Sequence, residues 1–184
     1  MMQNPLWSIA RVLHRNILFL EAPFFTDRYM YKYTKFLQKC GMEIADYDEH
    51  GFIHQSVWFD SSERYSLIKI GRAVTLSRDV ILLTHDYSIR NAINAFEENL
   101  DNVKYKFLKP IFIGNNVFVG ARAILLPGTE IGDDVIIGAG AVVKGKVPPK
   151  TVWGGRLLAS FVRWRSTTGG IRTSMTTRLS KAAL

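Results

Sequence analysis

The feature that most constrains the fold is a six-residue repeat that runs from Ile113 to Pro148. Each of six consecutive hexads begins with an aliphatic residue and carries a small or branched residue at its fifth position. The first positions are Ile113, Val119, Leu125, Ile131, Ile137 and Val143, and the fifth positions are Val117, Ala123, Thr129, Val135, Ala141 and Val147. A fixed short period is typical of solenoids, and a six-residue period is typical of parallel β-helices.

Each hexad is expected to form one side and one corner of a triangular coil. The first-position side chain points into the triangle and stacks on its equivalent in the next coil, at the strand spacing of about 4.8 Å. The glycine that usually follows lies at the corner, where a side chain would be crowded. Three hexads complete a triangle, so the six hexads predict two full coils.

An earlier block of hexads has the same register. Its hexads begin at Ile70, Leu76 and Leu82 and predict another coil, and a less regular coil is expected before it through Ile53, Val57, Phe59 and Ile68. Residues 88–110 separate the two blocks and have no hexad register. A long excursion from a solenoid is usually functional or disordered, so we expect a loop that leaves one corner beside His85. An ordinary parallel sheet is disfavoured, because each of its crossovers needs a dozen or more residues.

Two helices are predicted before the solenoid. Pro5–Leu20 has an apolar stripe, and it suits a cap on the open end of the solenoid better than its alternative, a helix on a membrane surface. Thr26–Cys40 is the second helix, with Thr26 as its N-cap and Gly41 as its stop. After Phe161 the chain is basic and has no acidic residue, which is typical of a disordered tail.

These patterns predict one fold class and three regions. The fold is an all-β core, a parallel β-helix of hexapeptide repeats with an N-terminal helical cap and a long inserted loop. The regions are the cap at residues 1–50, the β-helix at residues 51–155 with its insertion at 88–110, and the basic tail at residues 156–184.

The composition of the chain limits which binding partners and which cellular compartment are expected. The single cysteine, Cys40, excludes an internal disulfide and fits a reducing compartment. The formal charge of +8 favours phosphate-bearing partners, but no nucleic-acid-binding motif is recognisable, so no nucleic acid is expected. No signal peptide is evident, and the apolar run at residues 17–20 is far too short to span a bilayer. We expect a cytoplasmic protein, and peripheral contact with the inner face of the membrane through the basic N-terminal helix or the tail stays open.

The hexad that begins at Leu82 breaks the pattern and carries titratable residues, His85 and Asp86, at a corner. Imidazole titrates near neutral pH, which suits a general base. A lone histidine is more often structural. A solenoid corner, however, projects its side chains outward, and the insertion begins immediately afterwards and could wall a site.

The runs IGNNVFVGARAILLPGTEIGDDVIIGAGAVV and LLTHDYS, with the pair Pro148-Pro149, resemble the hexapeptide-repeat O-acetyltransferases. The nearest resemblance is to sugar and capsular-polysaccharide O-acetyltransferases related to the maltose and galactoside enzymes, over about residues 53–155. It implies a left-handed coil, which the spacing alone does not reveal, and a homotrimer with active sites at the subunit interfaces. It also implies transfer of an acetyl group from acetyl-CoA to a hydroxyl of a saccharide acceptor, such as a sugar or a surface or capsular-polysaccharide precursor.

The same resemblance implies roles for individual residues. His85 is the general base that takes the proton of the acceptor hydroxyl. Asp60 either orients the imidazole or binds the acceptor, and its alternative is a turn-forming residue; Asp86 is a second, less favoured partner for the imidazole. The residues implied to bind acetyl-CoA are Phe118, Gly120, Ala121, Gly138 and Ala139 along the pantetheine arm, and Lys144, Lys146 and Arg156 at the phosphates.

Three other functions remain open on the same scaffold. The first is an N-acetyltransferase that acts on an amino-sugar nucleotide. The second is a metal hydratase like the γ-class carbonic anhydrases, which needs three histidine ligands, whereas the repeats offer only His54 and His85, so no metal is expected. The third is a non-catalytic solenoid, which would not bind CoA.

Overall fold

The computed structural model describes residues 26–46, 50–60, 65–88, 91, 107–154 and 162–163. In this part of the chain, helix α1 (Thr26–Lys39) precedes a series of strands of two or three residues each. The strands are β1 (Glu43–Ile44), β2 (Phe52–Ile53), β3 (Trp58–Phe59), β4 (Ile68–Ile70), β5 (Thr75–Leu76), β6 (Ile81–Leu82), β7 (His85–Asp86), β8 (Phe107–Leu108), β9 (Ile111–Ile113), β10 (Phe118–Val119), β11 (Ile124–Leu125), β12 (Glu130–Ile131), β13 (Ile136–Ile137), β14 (Val142–Val143), β15 (Lys146–Val147), β16 (Thr151–Trp153) and β17 (Val162–Arg163). A short 3-10 helix, Tyr65–Leu67, leads into β4.

The strands form three parallel sheets that make the three sides of a triangular solenoid. Sheet A contains β1, β4, β9, β12 and β15; sheet B contains β2, β5, β10, β13 and β16; sheet C contains β3, β6, β11 and β14. The chain visits A, B and C in turn, so β1–β3, β4–β6, β9–β11 and β12–β14 are four coils, and β15 and β16 begin a fifth. Strand β17 is antiparallel to β16 and ends sheet B.

The hexads set the register between coils. Ile113 lies opposite Ile131, which is 131 − 113 = 18 residues or three hexads later, and Leu125 lies opposite Val143 at the same separation. The two predicted full coils from Ile113 onward are therefore confirmed. The earlier, less regular coil also exists, but one of its expected residues, Ile68, instead opens the following coil in β4. The hexad pattern is absent there, so the sequence did not mark the boundary between the two coils.

The interior is a ladder of aliphatic side chains. Every first-position and fifth-position residue from Ile113 to Val147 is less than 5% exposed, and all of them except the polar Thr129 form one hydrophobic cluster with the equivalent residues of the earlier coils. Burial of such side chains is the main favourable contribution to folding. The predicted second helix is confirmed as α1; its buried face, which includes Met30, Tyr33 and Leu37, joins the same cluster, and Gly41 follows it at a φ of +93°.

The chain leaves the solenoid after β6 and returns at β9. The two ends of this excursion lie side by side, because β7 and β8 pair antiparallel and the Lys109 N–H donates to the Thr84 carbonyl at 3.0 Å. The interior of the insertion, the predicted helix Pro5–Leu20 and nearly all of the basic tail lie outside the described residues. No helix in the described ranges is long and apolar enough to cross a membrane.

The glycine corners give the first prediction. A β-carbon at Gly120 would lie 2.5 Å from the backbone nitrogen of Ala139 in the next coil, whereas one at Gly154, at the equivalent corner of the last coil, would meet nothing within 4 Å. Gly120→Ala should therefore lower the free energy of unfolding by about 1–3 kcal/mol through forced separation of two coils. Gly154→Ala is the matched control and should change it by less than about 0.5 kcal/mol. Equal midpoints for the two variants in denaturant unfolding would show that close coil stacking does not require glycine.

Candidate active site

His85 lies at the corner between sheets C and A, which is called here the C–A corner. It comes two residues after the corner position Leu83, in the short strand β7, whose pairing with β8 fixes the His85 backbone opposite Leu108. The side chain is 19% exposed, so it is neither a core histidine nor a freely solvated one. This placement agrees with the prediction that the imidazole reaches the surface at a corner.

Asp60 occupies the same C–A corner one coil earlier, directly after β3. Its Oδ2 contacts Nδ1 of His85, although the two residues are 25 positions apart in the chain. The same oxygen accepts hydrogen bonds from the Thr84 N–H at 3.0 Å, the Thr84 hydroxyl at 3.2 Å and the His85 N–H at 3.2 Å. Of the readings left open for Asp60, the contact favours orientation of the imidazole over a purely turn-forming residue.

The carboxyl of Asp60 is 2% exposed, and its surroundings keep it ionised. Burial alone raises the pKa of Asp60, but hydrogen bonds from Thr84 and the attraction and hydrogen bond of His85 outweigh burial and lower it below its ordinary value. A carboxylate that receives Nδ1–H leaves Nε2 of the ring as the proton acceptor. The arrangement can therefore act as a histidine base with a fixed tautomer.

Two exposed residues follow His85 directly. The Tyr87 ring meets the imidazole edge to face, with centroids 4.7 Å apart and planes at 73°, and Tyr87 is 49% exposed. Asp86 does not hold the imidazole through a hydrogen bond; its Oδ1 accepts the Ser88 N–H at 2.8 Å. Hydrogen bonds from Ser88, and more weakly the charges of Lys144 and His85, lower the pKa of Asp86.

The small residues predicted to bind acetyl-CoA lie at a different corner, between sheets B and C, called here the B–C corner. Gly120 follows β10, Gly138 follows β13, and the Gly120 N–H donates to the Ile137 carbonyl at 2.8 Å. Ala121 and Ala139 come next in the two coils, and Ala139 is exposed. The structure thus brings four of the predicted residues together, with the 44% exposed Phe118 on sheet B beside them.

The predicted lysines separate. Lys144 follows β14 and is at the C–A corner, on the side of His85, where its charge is felt by Asp86. Lys146 points outward from sheet A and pairs with Glu130 at 3.2 Å. Arg156 lies outside the described residues. In the described part of the chain, no three side chains of His, Cys, Asp or Glu converge as a metal site.

Two residues of this site, Thr84 and Tyr87, were not predicted from the sequence. Thr84 is 3% exposed, and its N–H and hydroxyl hold the carboxylate of Asp60. A signal was present, because Thr84 and His85 lie in the hexad that breaks the pattern immediately before the insertion. The identity of their partner could not be predicted, because Asp60 belongs to a coil without clear hexads. Nothing in the sequence pattern distinguished Tyr87 from an ordinary exposed tyrosine.

Comparison with known proteins agrees with this fold. Residues 110–145 match the family model described as bacterial transferase hexapeptide (six repeats). A galactoside O-acetyltransferase of Escherichia coli K12 is 34% identical over 88 residues, which are 48% of this chain and 40% of that protein. The chain thus spans about two-fifths of the length of this relative.

Two solved structures share the fold over most of the chain. A maltose O-acetyltransferase from Clostridium difficile superposes with a TM-score of 0.53 at 24% identity, covering 89% of this chain and 90% of the other. A hexapeptide-repeat acetyltransferase from Vibrio cholerae, complexed with acetyl-CoA, gives 0.52 at 22% identity, with 84% and 86% covered. The predicted resemblance to hexapeptide-repeat acetyltransferases is confirmed, as is the left-handed parallel β-helix.

The pKa of Asp60 gives a prediction about stability. Because the folded protein lowers this pKa, ionised Asp60 stabilises the fold fully above the ordinary value of 3.8, and the stabilisation is lost as the pH falls through the lower folded value. The difference in free energy of unfolding between the wild type and Asp60→Asn should shrink as the pH falls from about 5 to about 3. Urea unfolding over this range measures it. A difference that grew over the same range would contradict the assigned direction of the pKa shift.

Proposed function

We propose that this chain, whose solenoid is built from the hexapeptide repeats of bacterial transferases, is an acetyl-CoA-dependent O-acetyltransferase that acts on a saccharide hydroxyl. The observation that carries the proposal is the buried carboxylate of Asp60 on Nδ1 of His85 at a solenoid corner. A sugar hydroxyl is a poor nucleophile at neutral pH, and a positioned base is what its acetylation requires. The 34% identical galactoside O-acetyltransferase supports the choice of a sugar hydroxyl as acceptor.

In the proposed reaction, Nε2 of His85 takes the proton of the acceptor hydroxyl while the oxygen attacks the thioester carbonyl carbon. The imidazolium that forms is stabilised by the carboxylate of Asp60, which the hydrogen bonds of Thr84 keep in place. When the tetrahedral intermediate collapses, the C–S bond breaks, and the imidazolium returns the proton to the sulfur. The products are the sugar ester and free CoA, and His85 is neutral again.

The donor slot is proposed to be the B–C corner. Gly120, Ala121, Gly138 and Ala139 carry no side chain larger than a methyl group at the same corner of two adjacent coils, which suits the approach of a narrow pantetheine arm. The Vibrio cholerae structure with the same fold holds acetyl-CoA and supports this donor. Lys144 lies at the other corner, near Asp86, and Lys146 pairs with Glu130, so neither lysine is assigned to the CoA phosphates.

A complete site requires a second copy of the chain. His85 is at the C–A corner and the small-residue slot is at the B–C corner, so the width of sheet C separates them within one chain.

The outward residues of sheets B and C are mostly apolar, namely Phe52, Phe118, Ile136 and Val152 on B and Trp58, Ile81, Ile124 and Val142 on C. Sheet A instead presents two ion pairs, Glu43 with Lys69 and Glu130 with Lys146, on either side of one outward apolar residue, Phe112. We propose a homotrimer in which sheets B and C are covered and each site takes one corner from each neighbour.

The first test concerns the base. His85→Ala should retain the fold and lower kcat by at least about 100-fold, the scale of general-base catalysis. The assay measures release of the free CoA thiol from acetyl-CoA with a panel of sugars, sugar nucleotides and polysaccharides. His50→Gln is a matched control, since His50 is an exposed turn residue, and it should leave kcat unchanged. Turnover in His85→Ala equal to that of the wild type would exclude His85 as the base.

The second test concerns the shared site. Ala139→Trp should block the donor slot without disturbing the core, because Ala139 is exposed. Trimers of His85→Ala alone or of Ala139→Trp alone should be inactive, whereas co-refolded mixtures should recover about a quarter of wild-type activity if each site combines corners from two chains at random. No recovery in mixed trimers would place both corners of each site in one chain and contradict the proposed arrangement.

A further inference from the structure

The proposed mechanism leaves a group of side chains around His85 without a role. Tyr87 is 49% exposed and Leu108, which lies opposite His85 in the β7–β8 ladder, is 38% exposed. Asp86 lies between His85 and Tyr87 in the chain and is also exposed. Exposed apolar surface that is fixed by strand pairing beside a reactive group indicates a binding surface.

The geometry of the imidazole restricts what this surface can contact. Asp60 occupies Nδ1, so the acceptor hydroxyl must approach Nε2 at the other end of the ring. The centroid of the Tyr87 ring is only 4.7 Å from that of the imidazole. A molecule whose hydroxyl reaches Nε2 can therefore place neighbouring carbon atoms in contact with the Tyr87 ring, which touches the same imidazole.

The chemistry of the surface suits one kind of molecule. A pyranose has a face of C–H groups and a rim of hydroxyls, and the face of an aromatic ring carries negative charge density that attracts C–H groups. The carboxylate of Asp86 is held by the Ser88 N–H at 2.8 Å and can accept hydrogen bonds from hydroxyls on the rim. An aromatic ring in contact with the imidazole and a carboxylate close enough to feel its charge are thus both present beside His85.

We propose that Tyr87 is the stacking platform for the acceptor, a saccharide in pyranose form, and that Asp86 receives a hydrogen bond from one of its hydroxyls. The inference rests on the proposed function and adds to it the residue that orients the acceptor. These contacts would hold the acceptor so that a single hydroxyl faces Nε2. Because the acceptor is already oriented, less entropy is lost when it reacts.

The experiment compares Tyr87→Ala, Tyr87→Phe and Tyr31→Ala. Tyr31 is a matched control, because it is 54% exposed on α1, away from the C–A corner. The acceptors are methyl β-D-galactopyranoside, methyl β-D-glucopyranoside and methyl N-acetyl-β-D-glucosaminide. Tyr87→Ala should raise the KM for the acceptor about tenfold, the scale of one lost aromatic contact, with the KM for acetyl-CoA unchanged. Tyr87→Phe should retain the wild-type KM, and so should Tyr31→Ala.

Two results would overturn the inference. One is an acceptor KM in Tyr87→Ala no higher than in Tyr31→Ala. The other is a loss confined to kcat with an altered pH profile, because that would make Tyr87 a residue that positions the imidazole rather than one that binds the acceptor.

A binding measurement separates this inference from the proposed function. Saturation-transfer NMR on the wild type should show transfer to the C–H protons of at least one of the three glycosides, and Tyr87→Ala should weaken it at equal glycoside concentration. If transfer depends on Tyr87 but no thiol is released, the acetyltransferase proposal fails and the saccharide site stands. If thiol is released and transfer is the same in Tyr87→Ala, only the inference about Tyr87 fails. Absence of transfer to all three glycosides in the wild type also overturns it.

Discussion

The stacking of successive coils at one strand spacing is the constraint on which the rest of the structure depends. Each inward aliphatic side chain lies on its equivalent in the next coil, which from Ile113 onward is 18 residues away, as Ile137 is from Val119, so the sides of the triangle cannot slip independently. At Gly120 the coils approach so closely that a β-carbon would lie 2.5 Å from the next backbone. The same stacking that buries the core therefore aligns the corners in columns, and residues far apart in sequence meet wherever a column carries polar side chains.

The C–A corner shows how this constraint produces a site. Asp60 and His85 lie at the C–A corner of consecutive coils, so the buried carboxylate of Asp60 contacts the imidazole of His85. Burial raises the pKa of this carboxyl, but hydrogen bonds from Thr84 and the attraction and hydrogen bond of His85 outweigh burial and lower it. The hexad around Thr84 has lost its glycine, and the chain leaves the solenoid at this point. The departure from the repeat, rather than the repeat itself, creates the reactive corner.

The repeat was sufficient to predict the coils from Ile113 to Val147, because every inward position in them is aliphatic or small. It was not sufficient for the coil before Ile68, because irregular spacing does not indicate to which of the three sheets a short strand belongs. His85 could be singled out from sequence because a titratable residue lies at a predicted corner, just before the insertion interrupts the repeat. Thr84 and Tyr87 could not, because their roles depend on the direction of a hydrogen bond and on the orientation of a ring, which no spacing encodes.

Asp60 fixes the His85 ring with its proton on Nδ1 and its lone pair on Nε2, and the proposed base depends on this tautomer. The nitrogen-15 and proton NMR spectrum of the neutral imidazole, assigned with a His85→Gln variant, tests it. We expect the Nδ1–H tautomer for His85, with a strongly hydrogen-bonded Nδ1 proton that is lost in Asp60→Asn. An Nε2–H tautomer, or a spectrum that Asp60→Asn leaves unchanged, would contradict it.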